Sequence, residues 1–131
     1  MQNKYFLDTN VILRFFLKDN QQQYKKAEEL FKKAEAGKIS LVVIPQIIFE
    51  INYVLLGVYK LKKAEVVKML KPLLAWDYIE IKEKESLEEA IWLYQNKNVD
   101  LIDCFLFSLA RSNKAKVFSF DKDFKKLEIN A

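Results

Sequence analysis

Apolar and polar positions change period several times along the chain, and each change marks a predicted element. Lys4 to Leu7 is a short aromatic and aliphatic stretch that reads as a strand ending at Asp8. Thr9 to Leu17 takes the helical period, with Val11, Ile12, Phe15 and Phe16 on one broad face. Asp19-Asn20 is a turn and cap signal. Beyond it, Gln21 to Ala36 spaces Tyr24, Ala27, Leu30, Phe31 and Ala34 as a second amphipathic helix, which Gly37 stops. The β-branched run Ile39 to Val43 reads as a buried strand, and Pro45 stands where the next helix can begin. That helix runs to about Tyr59, with Gly57 inside its final turns. Lys63 to Leu74 is another helix, weakened near its end by Pro72, and Tyr78 to Ile81 is a strand. Ser86, with Glu89 one turn on, resembles a capping box that opens a helix to about Tyr94. Gln95 to Val99 is a loop and Asp100 to Arg111 an apolar helix. Lys116 to Phe118 is the last strand, before Ser119-Phe120-Asp121 and a short turn near Phe124.

Strands separated by helices predict an α/β fold, with a parallel sheet and helices on both faces. No repeat or linker interrupts the pattern, so residues 1–131 read as a single domain. Hydrophobic residues at 51% and charged residues at 31% allow a core and a wet surface together. The apolar run from Ile39 to Tyr59 is broken by Pro45, Gln46, Glu50 and Asn52, and Met1-Gln2-Asn3-Lys4 leads straight into a strand. Neither a membrane span nor a signal peptide is expected, and the predicted setting is soluble and cytoplasmic.

The absences narrow the chemistry. With 0 His, the chain excludes Ser-His-Asp triads, Cys-His nucleophiles, paired-His ribonuclease chemistry and His-ligated zinc. With 1 Cys, Cys104, it has no internal disulfide and no multi-Cys metal knuckle. Catalysis must therefore run on carboxylates, hydroxyls, Lys or a metal held by oxygen. Lys and Arg number 22 against 18 acids, a mild basic excess that permits a polyanionic partner. Arg14 and Arg111 are the arginines; the remainder is Lys, which suits backbone phosphate better than base-specific recognition.

Most acids lie in mixed-charge runs such as Glu83-Lys84-Glu85 and read as solvated helix faces. Four differ, because each follows a buried strand or interrupts an apolar helix. Asp8 ends the first strand and is either a helix cap or a ligand at the carboxyl end of a parallel strand. Glu50 shares a helix side with Gln46 and Tyr53, which faces either solvent or a site. Asp103 interrupts the apolar run Leu101 to Leu109, one turn after Asp100; both could simply favour the positive end of the helix dipole. Asp121 follows the last strand, between Ser119 and Asp123, and could be a turn residue. A parallel sheet puts Asp8 and Asp121 on one edge, where the helices bearing Glu50 and Asp103 can start. Clustered carboxylates repel, and a divalent cation relieves them. An all-oxygen site suits Mg²⁺ or Mn²⁺, which activate water and stabilise charge on a phosphoryl oxygen.

Taken in order, these residues resemble the PIN-domain ribonucleases, and within them the VapC-type toxins of toxin–antitoxin pairs. Phe6-Leu7-Asp8-Thr9-Asn10-Val11-Ile12-Leu13-Arg14 is similar to the family's first motif and Ile48-Phe49-Glu50-Ile51 to its second. Asp100-Leu101-Ile102-Asp103-Cys104-Phe105-Leu106 resembles the third, and Phe118-Ser119-Phe120-Asp121-Lys122-Asp123-Phe124 the fourth. The resemblance implies a three-layer α/β/α domain with a central five-stranded parallel sheet. It implies an endoribonuclease dependent on Mg²⁺ or Mn²⁺, with Asp8, Glu50, Asp103 and Asp121 as catalytic acids. Asp8, Asp103 and Asp121 would be the metal ligands. Asn10 and Ser119 would support the acids by hydrogen bonding, and Asp100 would be a further ligand or a cap. A homodimer, a cognate antitoxin and an RNA substrate are the implied partners.

The chain departs from the family pattern at Ser119, where Thr is more usual, and at Cys104, where Ala is common. Ser112-Asn113-Lys114 replaces a Gly-containing turn, with Asn113 able to take the left-handed conformation. Lys122, Lys125 and Lys126 are expected to track an RNA backbone. Phe15, Phe16, Tyr53, Leu56 and Tyr59 are either ordinary core or a surplus that marks an interface. Rival readings are a PIN nuclease of RNA maturation or acting on DNA, a non-catalytic PIN scaffold that binds RNA or protein, and a phosphoacceptor receiver module. The last normally carries adjacent acids after the first strand, whereas Asp8 is followed by Thr9.

Overall fold

A computed structural model describes residues 3–128. Their contacts divide the chain into two compact units, Met1–Lys60 with Ala75–Lys82, and Leu61–Leu74 with Glu83–Ala131.

The first unit holds β1 (Asn3–Phe6), α1 (Thr9–Leu17), α2 (Gln21–Glu35), β2 (Ile39–Val43), α3 (Pro45–Gly57) and β3 (Ile79–Ile81). The strands form one parallel sheet in the order β1-β2-β3, with Leu41 opposite both Tyr5 and Ile79. The ladder runs past both edge strands: Leu7 N–H donates to the Val42 carbonyl at 2.9 Å and Lys82 N–H to the Val43 carbonyl at 3.0 Å. The central strand β2 buries Leu41, Val42 and Val43, as expected where neighbours lie on both sides. On the edge strand β1 every residue is exposed.

Local signals set the helix ends. Asn20 accepts the Gln23 N–H at 3.0 Å and caps α2. Gly37, at φ +77°, makes the left-handed exit that a side chain resists. Pro45 opens α3, where its missing N–H has no intrahelical partner to lose. α1 buries Ile12 and Leu13, α2 buries Ala27, Phe31 and Ala34, and α3 buries Ile48, Ile51 and Leu55; α1 packs on both of the others.

Phe15 stacks on Tyr24 at 5.6 Å and meets Phe31 and Trp76 edge-on at 4.7 and 5.7 Å. Trp76 in turn stacks on Tyr78 at 5.9 Å. Arg14 donates to Asp19 and to the Tyr59 hydroxyl, both at 3.0 Å, and so ties the end of α1 to the end of α3. Phe15 and Tyr59 thus have partners inside this unit, while Tyr53 is 47% exposed.

The second unit holds α4 (Lys63–Ala75, its last residue counted with the first unit), α5 (Lys84–Asn96), α6 (Leu101–Ser112) and α7 (Asp123–Glu128). α6 packs on α5 and α7. Ser108 donates to Glu89 at 2.6 Å, and Arg111 pairs with the same carboxylate. Lys63 Nζ donates to the carbonyls of Tyr94 at 2.5 Å and Lys97 at 3.0 Å, closing the exposed end of α5.

Several expectations change here. The Ser86–Glu89 pair is not a capping box: α5 begins earlier, at Lys84, behind a left-handed Glu83 at φ 55°. Ser86 is buried within the helix, and Glu89 is held by α6 instead. α4, by contrast, runs through Pro72 as expected, with Leu70, Leu73 and Leu74 buried. After α6 the left-handed residue is Lys114 at φ 57°, while Asn113 lies at φ −98°.

The expected strand Lys116 to Phe118 is not formed: among the described residues these have no ladder partner, and Phe118 and Phe120 are 89% and 94% exposed. A short apolar stretch makes a strand only when a neighbour supplies the hydrogen bonds. Among the described residues the sheet therefore has three strands, against the five that the resemblance implies. No helix among them is long and apolar enough to cross a membrane.

Candidate active site

In the first unit, Asp8 follows β1 directly and is the N-cap of α1, with φ −82° and ψ 155°. Its Oδ1 accepts the Thr9 N–H at 2.7 Å, and its carbonyl accepts the Val11 N–H at 3.2 Å. The cap expected from the tripeptide is therefore present. The carboxylate is nevertheless exposed, so a cap and a ligand are compatible at this position.

Glu50, on α3, is brought to the same place. Its Oε2 accepts the Thr9 hydroxyl at 2.5 Å across a sequence separation of 41 residues. Gln46, Glu50 and Tyr53 are all exposed, so the side of α3 that they share faces solvent, while Ile48, Ile51 and Leu55 fill the opposite side. Asn10, expected to support the acids, is exposed on the first turn of α1. The hydrogen bond to Glu50 comes from Thr9, which the sequence pattern treats only as a capping type. Nothing local marks it, because its partner lies on another helix.

In the second unit, Asp100 precedes α6 as its N-cap, without a side-chain cap bond, and Asp103 lies in the first turn. Asp103 is half-buried. Burial pushes its carboxyl above the ordinary carboxylate range, and the negative charges of Asp100, Asp121 and Asp123 push it further the same way. Beside it, Cys104 is fully buried and its thiol is pushed up to about 12, chiefly by burial, so it is inert packing.

Asp121 sits in a turn, one of the two roles its sequence allows. Ser119 Oγ accepts the Asp121 N–H at 2.9 Å, and Asp121 Oδ1 accepts the Asp123 N–H at 2.9 Å. Ser119 therefore supports Asp121 through the backbone, and the Asp121 side chain is exposed. Of the lysines expected to meet a polyanion, Lys122 and Lys125 are exposed, whereas Lys126 pairs with Asp123 at 2.9 Å and reaches the Asn98 carbonyl at 3.3 Å.

The sequence-predicted acids are thus placed as Asp8 beside Glu50 in one unit, and as Asp103 crowded by Asp100, Asp121 and Asp123 in the other. Among the described residues, no group of three or more His, Cys, Asp or Glu side chains stands close enough to enclose a metal ion. The donor chemistry still suits a hard cation. Every group that could bind is a carboxylate, and like charges load Asp103 in the way that a nearby positive charge would relieve.

Residues 5–130 match the PIN domain, a span that contains all four quoted motifs. The chain belongs to the PIN-domain family. This PIN domain is also similar to the VapC ribonuclease of Aquifex aeolicus (strain VF5). The two are 29% identical over 122 residues, covering 92% of this chain and 90% of that protein. The resemblance to VapC-type PIN proteins, read from the motifs, is shown by these matches.

Proposed function

We propose that this PIN domain is a VapC-type endoribonuclease that hydrolyses RNA phosphodiester bonds with Mg²⁺ or Mn²⁺, as the toxin of a toxin–antitoxin pair. The observation that carries the reading is the match of residues 5–130 to the PIN domain in a chain similar to a VapC ribonuclease, with Asp103 in the first turn of the apolar helix α6.

Asp8, Asp103 and Asp121 would hold the cation, with Asp100 as a further ligand or a cap. When bound, the cation supplies Lewis acidity and charge neutralisation at a phosphoryl oxygen. Glu50 has its Oε2 engaged by Thr9, which leaves Oε1 to take a proton from the attacking water. Ser119 fixes the turn that presents Asp121, and Lys122 and Lys125 offer mobile positive charge to backbone phosphate. The same reading takes residues 1–131 as one domain with the family's five-stranded, three-layer architecture. It places the protein in the cytoplasm and gives it a cognate antitoxin and a second copy of itself as partners.

The test is cleavage of a mixed RNA pool by the purified protein. Cutting that needs Mg²⁺ or Mn²⁺, stops with EDTA and is lost in Asp8→Ala and Asp103→Ala is the expected result, with 5′-phosphate and 3′-hydroxyl ends. A 2′,3′-cyclic phosphate product would refute attack by water. Metal binding without cleavage of any RNA would point to a scaffold. A monomer by light scattering at micromolar concentration would remove the homodimer.

A further inference from the structure

We infer that Thr9 is a positioning residue that holds Asp8 and Glu50, the two candidate catalytic acids of the first unit, using its backbone for one and its side chain for the other. Its N–H donates to Asp8 Oδ1 at 2.7 Å and its hydroxyl to Glu50 Oε2 at 2.5 Å. The inference rests on the reading of Glu50 as a catalytic acid and names the group that sets its geometry.

The physical case starts from exposure. Asp8 and Glu50 both face solvent, yet Thr9 between them is 6% exposed. Water can reach the carboxylates but competes poorly for the hydroxyl, so the bond to Glu50 keeps its strength. Thr is stiff at χ1, whereas Glu has three rotatable side-chain bonds. An unrestrained exposed Glu samples many positions, and one tied to a buried, stiff donor samples few. A threonine in a first helical turn can satisfy its hydroxyl on its own helix. Here the hydroxyl is turned to α3 instead, so a single residue links the end of β1, the start of α1 and the middle of α3. A group that orients a ligand or catalytic acid typically contributes roughly 10–100-fold to metal affinity or activity.

The experiment uses the full chain with Thr9→Val and Thr9→Ser. Valine keeps the branched shape and removes the hydroxyl; serine keeps the hydroxyl and drops the methyl. The first readout needs neither metal nor RNA. Side-chain couplings of Glu50 are measured by NMR in metal-free protein with labelled glutamate, assigned with Glu50→Gln. Calorimetric Mn²⁺ affinity and kcat and KM on RNA follow. The expected result is rotamer averaging of Glu50 in Thr9→Val, a roughly 10–100-fold loss in kcat or Mn²⁺ affinity with KM little changed, and recovery in Thr9→Ser. Unchanged Glu50 couplings in Thr9→Val would overturn the inference. So would equal losses in both variants, which would assign the effect to methyl packing. If the wild type cuts no RNA, the proposed function fails, while the metal-free couplings still decide whether Thr9 holds Glu50.

Discussion

Asp8 has a visible structural job and a proposed chemical one, and two substitutions pull them apart. Asp8→Ala removes the cap, the charge and the ligand oxygens together. Asp8→Asn keeps an oxygen that can accept the Thr9 N–H at 2.7 Å and removes the charge. A lost N-cap costs about 0.5–2 kcal/mol, and the bond here reaches only the first helical N–H, which favours the lower half of that range. The negative charge at the start of α1 adds about 0.3–1 kcal/mol through the helix dipole. Asp8→Ala should therefore lose roughly 1–2 kcal/mol, and Asp8→Asn under about 1 kcal/mol. An unfolding entropy of about 2.1 cal/mol/K per residue over 131 residues makes each 1 kcal/mol worth about 4 °C in Tm.

The assay is a thermal melt of wild type and both variants, in EDTA and in saturating Mn²⁺. In EDTA the order should be wild type, Asp8→Asn, Asp8→Ala, from most to least stable. Mn²⁺ should raise the wild-type Tm and leave both variants nearly unmoved, because a ligand stabilises only the state that binds it. Cleavage should be lost in both. An Asp8→Asn protein with wild-type cleavage and a full Mn²⁺ shift would refute the ligand reading. An Asp8→Ala protein melting with wild type in EDTA would refute the cap.

Three further outcomes are expected. In EDTA, urea melts should show Asp103→Asn more stable than wild type at pH 7. Native Asp103 holds its proton above the usual 3.8, so its ionisation lowers stability as pH rises from 3.8 through the raised value. The two proteins should converge at lower pH, and a less stable variant at pH 7 would contradict the crowding. Gly37→Ala should cost roughly 1–2 kcal/mol in the same melts, because φ +77° is left-handed; no loss would show that the turn can relax. The amides of Val117 and Phe118, which lie outside the three described strands, should exchange with deuterium far faster than those of Leu41 and Val42. Protection as strong as that of Leu41 and Val42 would instead restore a strand at this position.

Elements with local signals were legible in the sequence. Asn20, Gly37 and Pro45 each satisfy or dispense with a backbone group within a few residues of themselves, and the helix ends fall where they predict. Ser86 misled because Ser-x-x-Glu reads the same whether a helix starts there or has already begun. A left-handed Glu83 started it earlier. Phe118 misled because a short apolar stretch records what a strand could bury, not whether a partner strand is beside it. At the site, the acids stood out as charges in apolar surroundings, and Asp103 is half-buried with its carboxyl pushed up by burial and then by Asp100, Asp121 and Asp123. The Thr9–Glu50 bond was out of reach, since it joins two helices through a residue type common at any helix start.

The aromatic stack around Trp76 gives the molecule a pair of separable optical reporters. The chain has 2 tryptophans: Trp76 is half-buried among Phe15, Phe31 and Tyr78 in the first unit, and Trp92 is 52% exposed on α5 in the second. Iodide in the buffer should quench Trp92 and spare Trp76. Emission from Trp76 in a Trp92→Phe background, followed beside that of Trp92 in a Trp76→Phe background, then reads each unit on its own. Coincident melting curves would mean that the units unfold in one cooperative step, and split curves that each carries its own stability.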